Sequence, residues 1–235
     1  MTEEELKQIQ ENPELLVRFM ASRRFSNFAR YMNPKLDMTN FHKVYYEVLD
    51  KFAKGEIRKL IVSVPPQTGK SQGSSRFLPA FLLGLNPELK IVIGSYNADQ
   101  AKSFNRDVQR IVNSEAYKAT FPDTYFNNGK LRMDNVYLCN SEVSEPVGHS
   151  GFVRAVGRNG ALTGKAVDIL ILDDVYKDYN EANSPIIREQ AFKWYSTVCR
   201  TRLHNDSQEL IVFTRWHEDD LIGRIEQSGE PIIEL

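Results

Sequence analysis

At residues 64–72 the chain reads VPPQTGKSQ, directly after the apolar run KLIVSV. Gly69, Lys70 and Ser71 carry the chemistry of the second half of a phosphate-binding loop. Such a loop needs a strand to anchor it, backbone N–H groups aimed at phosphate oxygens, and a helix N-terminus behind them. Lys70 would reach the β and γ phosphates, the Ser71 hydroxyl would ligate magnesium, and Gly69 would let the backbone pass close by. The strict pattern G-x-x-x-x-G-K-[ST] has glycine where Val64 stands. That glycine serves the turn into the loop, which Pro65 and Pro66 could set instead by fixing φ. The alternative is that Gly69-Lys70-Ser71 is an ordinary helix start.

Two further stretches could complete the same chemistry. In VDILILDDVYKD, residues 167–178, four apolar residues run into Asp173-Asp174. That pair should cap a strand's carboxyl end, where ligands bind in open α/β sheets. Asp173 would hold the magnesium shell through water, and Asp174 would polarise a water attacking the γ-phosphate. Paired aspartates there also serve as helix caps or turn residues. In ELIVFTRWHEDDL, residues 209–221, a buried strand ends on Thr214. Its hydroxyl could bond the γ-phosphate or the attacking water. Alternatively Thr214 and Arg215 simply open the next helix. His149, His204 and His217 show no metal-ligand spacing.

The elements that must position these residues are legible as a pattern. Residues 2–32 read as two helices. Thr2 with Glu5 forms a capping box, and Asn12-Pro13 opens a second amphipathic stretch with Leu15, Leu16 and Phe19. Arg18, Arg23, Arg24 and Arg30 make this region basic, as a solvated face or a functional surface. A helix from Asn40 to Lys54 is closed by Gly55. Then come a strand from Leu60 to Val64, a helix from Gly69 to Leu83, a strand from Ile91 to Ser95 and a helix from Asn97 to Val112. Residues 129–160, with VYLCN and FVRAVG, read as hairpins. Asp168 to Leu172 reads as a buried parallel strand. Ser184-Pro185 opens a helix to about Leu203, and Glu209 to Thr214 is another buried strand. Strands separated by crossover helices predict an α/β, mostly parallel sheet with helices on both faces.

The 235 residues suffice for one α/β domain with a small helical attachment. Hydrophobic content of 41% and charged content of 26% are ordinary for a soluble globular chain. A net charge of −1 gives no global sign of nucleic-acid binding, though a local basic track would set its own field. Two cysteines, Cys139 and Cys199, make no disulfide framework and suit a reducing cytosol. No apolar run approaches the roughly 18 residues of a membrane span, and no signal peptide is present, so a cytoplasmic chain is expected.

Four stretches in order carry a family resemblance. They are FHKVYYEVLDKFAKGEIRKLIVSVPPQTGKSQ, SYNADQAKSFNRDVQRI, GALTGKAVDILILDDVYKD and VFTRWHEDDLIGRI. They resemble the large terminase subunits of tailed bacteriophages, the ATP-driven motors that package DNA into proheads, over nearly all of residues 39–230. That family's PP-x-x-GKS loop also lacks the first glycine, so the loop here resembles a deviant Walker A. The resemblance implies a RecA-like P-loop NTPase of the additional-strand type, with a helical extension over residues 1–38 and the ATPase core over 39–235. It implies that an RNase H-like nuclease domain follows in the intact subunit and is absent here, where the chain stops on EPIIEL. ATP and magnesium (Mg2+) are the implied ligands. Double-stranded DNA, a portal protein, a small terminase subunit and a ring of like subunits on the portal are the implied partners, in the host cytoplasm and without a membrane.

Residue by residue, the resemblance places the nucleotide on Pro66, Gln67, Thr68, Gly69, Lys70, Ser71 and Gln72. It makes Asp173 the Walker B aspartate, with Ser71 on the metal. Asp174 stands where many relatives carry a catalytic glutamate, and Thr214 falls in the coupling motif. Phe41 and His42 lie where the family's adenine-contacting motif begins. A trans-acting arginine often precedes the Walker B strand in an LTGR or LRG pattern. Here Lys165 replaces the first and Thr163 the second. Lys165 would act as a point charge, since lysine lacks the planar fork of arginine; otherwise Arg158 or Arg154 nearby supplies the cation. Two other readings are a helicase-like DNA translocase, which would need a second lobe, and a nucleotide-responsive docking module without turnover.

Overall fold

The computed structural model describes residues 12–126, 142–162, 164, 166–229 and 232–235. The Thr2–Glu5 capping box, the VYLCN segment with Cys139, Thr163 and Lys165 lie outside them. Continuous apolar runs, rather than alternating ones, mark strands covered on both faces. The strands are β1 (Lys59–Ser63), β2 (Lys90–Ser95), β3 (Val143–Ser144), β4 (Phe152–Gly157), β5 (Val167–Asp173), β6 (Leu203–Phe213) and β7 (Ile233–Glu234). They form one sheet in the order β3-β4-β2-β5-β6-β1-β7, parallel throughout except between β3 and β4. β6 therefore stands between β1 and β5, the place of the additional strand that the resemblance implies.

Side chains alternate along each strand, so the central strands β1, β2, β5 and β6 feed two cores. On one face Leu60, Val62, Ile91, Ile93, Ile169, Ile171, Leu210 and Val212 meet a largely aromatic layer that includes Phe28, Tyr45, Phe81 and Phe104. That layer comes from α2 (Phe25–Met32), α3 (Asn40–Ala53), α4 and α5 (Ala98–Val112). Helix α4 is continuous through Lys70–Gln72, a π-helical turn at Gly73–Phe77, and Leu78–Leu85. On the other face Ile61, Val92, Leu170, Leu172, Ile211 and Phe213 pack on Trp194, Leu221 and Ile222. Those residues belong to a helix opening as Pro185–Trp194 and to a short one at Leu221–Gln227.

Two expectations need correction. The stretch from Asn12 is two helices rather than one, α1 (Pro13–Arg23) and α2, broken at the extended Arg24. The cause is tertiary: the Phe25 N–H donates to the buried Asp50 carboxylate of α3 at 2.9 Å. Leu15 and Leu16 on α1 face outward rather than into a core. FVRAVG is the second arm of a short hairpin in its own region, paired as Val143↔Arg154 and Ser144↔Val153, but its main partner lies elsewhere. It is β4, parallel to β2 from Lys90↔Phe152 to Ser95↔Gly157, and only β3 pairs with it antiparallel. Phe152, Val153, Ala155 and Val156 are all buried, because both faces of β4 are covered.

The end of β4 fits closely against α5. A Cβ at Gly157 would lie 2.4 Å from the Ala98 backbone nitrogen, and a backbone atom cannot swing aside. Gly157→Ala should therefore lower stability by about 1–3 kcal/mol, the usual cost of overpacking. Urea denaturation checks this. An unchanged midpoint would mean that β4 and α5 do not approach so closely.

Candidate functional site

Because β1, β5 and β6 run the same way, their carboxyl ends share one edge of the sheet. The 64–72 loop leaves β1 there. Gln67 (φ 63°) and Gly69 (φ 79°) both adopt the left-handed conformation, and Thr68 Oγ1 donates to the Pro65 carbonyl at 3.0 Å. Left-handed residues in such a loop turn N–H groups to a common side, a concavity suited to anions. Pro66 and Gln67 stand exposed on its rim, while Gln72 lies half-buried in the first turn of α4. Glycine is required at 69 on two counts: its φ, and the His42 imidazole, whose Nε2 would be 3.0 Å from a Cβ there. Phe41, beside His42, stacks on Tyr45.

Asp173 ends β5 fully buried, inside a ring of hydroxyls. Ser71 Oγ donates to its Oδ1 at 3.0 Å and Ser75 Oγ to its Oδ2, while Ser74 Oγ, whose single proton is shared with the Lys70 carbonyl, lies 3.4 Å from Oδ2. Burial pushes the carboxyl up to about 6, and the Asp174 charge adds to the rise; the serine bonds and Lys70 oppose it. Ser71 and Asp173 present hard oxygens side by side, the donor chemistry that suits magnesium with its remaining positions filled by water or phosphate. Among the described residues no group of three or more His, Cys, Asp or Glu forms a metal cage.

Asp174 follows in an unusual backbone state, with φ 46°. Its N–H donates to the Val212 carbonyl at 3.0 Å, and its own carbonyl accepts from the Tyr96 N–H at 3.0 Å and from Ser95 Oγ at 3.4 Å. The carboxylate faces Lys70 Nζ at 3.4 Å and is 37% exposed. Lys70 itself is buried, and its Nζ also donates to Thr214 Oγ1 at 3.2 Å. Thr214 Oγ1 in turn donates to the Val64 carbonyl at 3.0 Å. The structure thus gathers Gly69, Lys70, Ser71, Asp173, Asp174 and Thr214 from three strand ends.

Arg158 is engaged elsewhere in its own chain. Its side chain is 9% exposed, and Nη1 donates to the Val175 carbonyl at 2.8 Å and to Glu181 Oε2 at 2.9 Å. These bonds lie within its own chain, whereas the resemblance offered it as one candidate for reaching a neighbouring subunit. Arg154 lies within β4, opposite Val143. Sequence reasoning missed Ser74, Ser75 and Tyr45, whose hydroxyl donates to the Lys70 carbonyl at 2.9 Å. A signal was present for the serines: Ser71, Ser74 and Ser75 recur at the i, i+3, i+4 spacing of one helical face.

Over residues 61–233 the sequence matches the family described as the terminase large subunit, T4likevirus-type, N-terminal. The chain belongs to this family. Among solved structures it resembles the large terminase of bacteriophage HK97, at 15% identity and a TM-score of 0.52, covering 91% of this chain and 43% of that one. The large terminase ATPase domain of Thermus phage P74-26 is also similar, at 21% identity and a TM-score of 0.45, covering 76% of this chain and 70% of that one. No curated protein matches the sequence. The chain spans less than half the length of the HK97 terminase. The fold is thereby that of the N-terminal part of the terminase large subunit, a mostly parallel sheet of seven strands among the described residues.

Within this terminase fold, Thr214 is tied to two groups at once. Thr214→Val keeps the shape but leaves the Val64 carbonyl without its donor and Lys70 with Asp174 alone, at an expected cost of about 1–3 kcal/mol. Thr214→Ser should keep most of that stability. An unaltered Thr214→Val beside a destabilised Thr214→Ser, measured by denaturation, would assign the effect to the methyl group instead.

Proposed function

We propose that this chain is the ATP-hydrolysing motor domain of a viral genome-packaging terminase, driving double-stranded DNA into a prohead. The observation that supports this most is the meeting of Lys70, Ser71, Asp173, Asp174 and Thr214 at the ends of three adjacent parallel strands. Residues 66–72 cradle the triphosphate, those after Pro66 with backbone N–H groups. Lys70 supplies positive charge to the β and γ phosphates, and Asp174 orients the attacking water and accepts its proton. Ser71 and Asp173 would hold magnesium, which would supply neutralising charge to the phosphate oxygens. Thr214 shares Lys70 with Asp174 and is bonded to the exit of β1, so phosphate chemistry at Lys70 is felt by the segment following β6.

A cation from a neighbouring subunit would complete the site, and Lys165 is the residue we assign to it. The matching partners are double-stranded DNA, a portal protein, a small terminase subunit and further copies of this chain in a ring, in the host cytoplasm.

Lys70→Ala should abolish magnesium-dependent ATP hydrolysis and weaken triphosphate binding, measured by phosphate release and by equilibrium titration. Near-normal turnover would remove the loop from the reading. Asp174→Asn should keep ATP binding but lose turnover by about 10²- to 10⁴-fold, the contribution of a general base. An active Asp174→Asn beside an inactive Asp173→Asn would reverse the two roles. ATP binding by the unaltered chain with no turnover, alone or with DNA, would favour a docking module.

A further inference from the structure

We infer that Arg158 is a positioning residue that holds Asp174 in its working conformation from within the same chain. The inference rests on the reading of Asp174 as the group that orients the attacking water. Asp174 stands at φ 46°, a left-handed state that a non-glycine residue keeps only when its surroundings dictate it. Bonds from β2 and β6 fix the Asp174 peptide groups on either side. What fixes the chain immediately after it is Arg158.

Arg158 is anchored at both ends. Its backbone N–H donates to the Ser95 carbonyl at 2.7 Å, at the carboxyl end of β2. Its guanidinium crosses to the loop beyond β5 and donates through Nη1 to the Val175 carbonyl and Glu181 Oε2. Glu181 Oε2 also accepts from the Lys177 N–H at 2.9 Å, and the Glu181 N–H donates to Asp178 Oδ1 at 3.0 Å. The turn from Val175 to Glu181 is therefore closed around one buried guanidinium. Ser95 joins the two halves, since it takes the Arg158 N–H while its hydroxyl donates to the Asp174 carbonyl. Arg158 and Asp174 thus share an anchor on β2, and the buried guanidinium is held through Nη1 by both a carbonyl and a carboxylate.

A group placed this way affects turnover through geometry. A displacement of about 1 Å at a reacting group can cost roughly 10²-fold in rate. The 66–72 loop hangs from β1, two strands away from β5, so nucleotide affinity should be spared.

The test compares Arg158→Gln, Arg158→Lys and Asp174→Asn in the otherwise unaltered chain, reading kcat, ATP affinity and Tm. Expected is a kcat about 10²-fold lower for Arg158→Gln at unchanged ATP affinity, with Arg158→Lys between it and the parent. Mixing Arg158→Gln chains with Lys70→Ala chains should restore no activity, because the defect lies in cis. Restored activity on mixing would overturn the inference and make Arg158 a trans-acting cation. Equal loss of affinity and kcat would also overturn it, in favour of a general structural role. Normal kcat in Arg158→Gln beside an inactive Asp174→Asn sinks the inference alone, whereas an active Asp174→Asn sinks the site reading beneath it. Should Arg158→Gln not fold, Arg158→Lys and Glu181→Gln carry the test, and unchanged kcat in both counts against the inference.

Discussion

A buried ammonium is the constraint on which the rest of this structure turns. Lys70 Nζ lies 6% exposed at residue level, and a cation taken out of water is costly unless partners surround it. Its partners come from two other strands: the Asp174 carboxylate beyond β5 and the Thr214 hydroxyl beyond β6. Neither is near Lys70 in sequence. Only a sheet ordered β5-β6-β1, with all three strands parallel, can bring them together. The strand inserted between β1 and β5 is thus what places Thr214 on Lys70.

The packing beneath the loop serves the same end. Gly73 allows α4 to lie against α3, where any Cβ would fall 2.8 Å from a Tyr46 ring carbon. That closeness lets the Tyr45 hydroxyl reach the Lys70 carbonyl, which also accepts from Ser74 Oγ at 3.0 Å. One face of the π-helical turn in α4 carries Ser74 and Ser75 to Asp173, so the helix bearing Lys70 and the strand bearing Asp173 are locked to each other. Hydrophobic burial supplies the driving force here, and the hydroxyls satisfy the Asp173 carboxylate that burial leaves inside.

Much of this was legible in the sequence because the informative signals are local. Ile169 to Leu172 and Leu210 to Phe213 are continuous apolar runs, and a buried parallel strand needs nothing else to be recognised. The two aspartates and Thr214 follow these runs directly, so the strand end and the polar group come as one reading. The main pairing of β4 failed because FVRAVG is short and holds an arginine, and its parallel partner β2 lies some sixty residues upstream. The break at Arg24 failed for a similar reason, since Asp50, the residue that captures the Phe25 N–H, belongs to another helix. Arg158 shows the limit most clearly. Sequence gives its charge and its place before β5, but its direction is set by Val175 and Glu181, which only folding brings to it.

The most direct measurement is a crystal structure of the chain with magnesium and a non-hydrolysable ATP analogue. Expected is an analogue seated on residues 66–72, with Lys70 Nζ on its β and γ phosphate oxygens and magnesium at Ser71 near Asp173. An analogue bound away from that loop, or a Lys70 still shared only by Asp174 and Thr214, would contradict the assignment of this edge of the sheet to nucleotide chemistry.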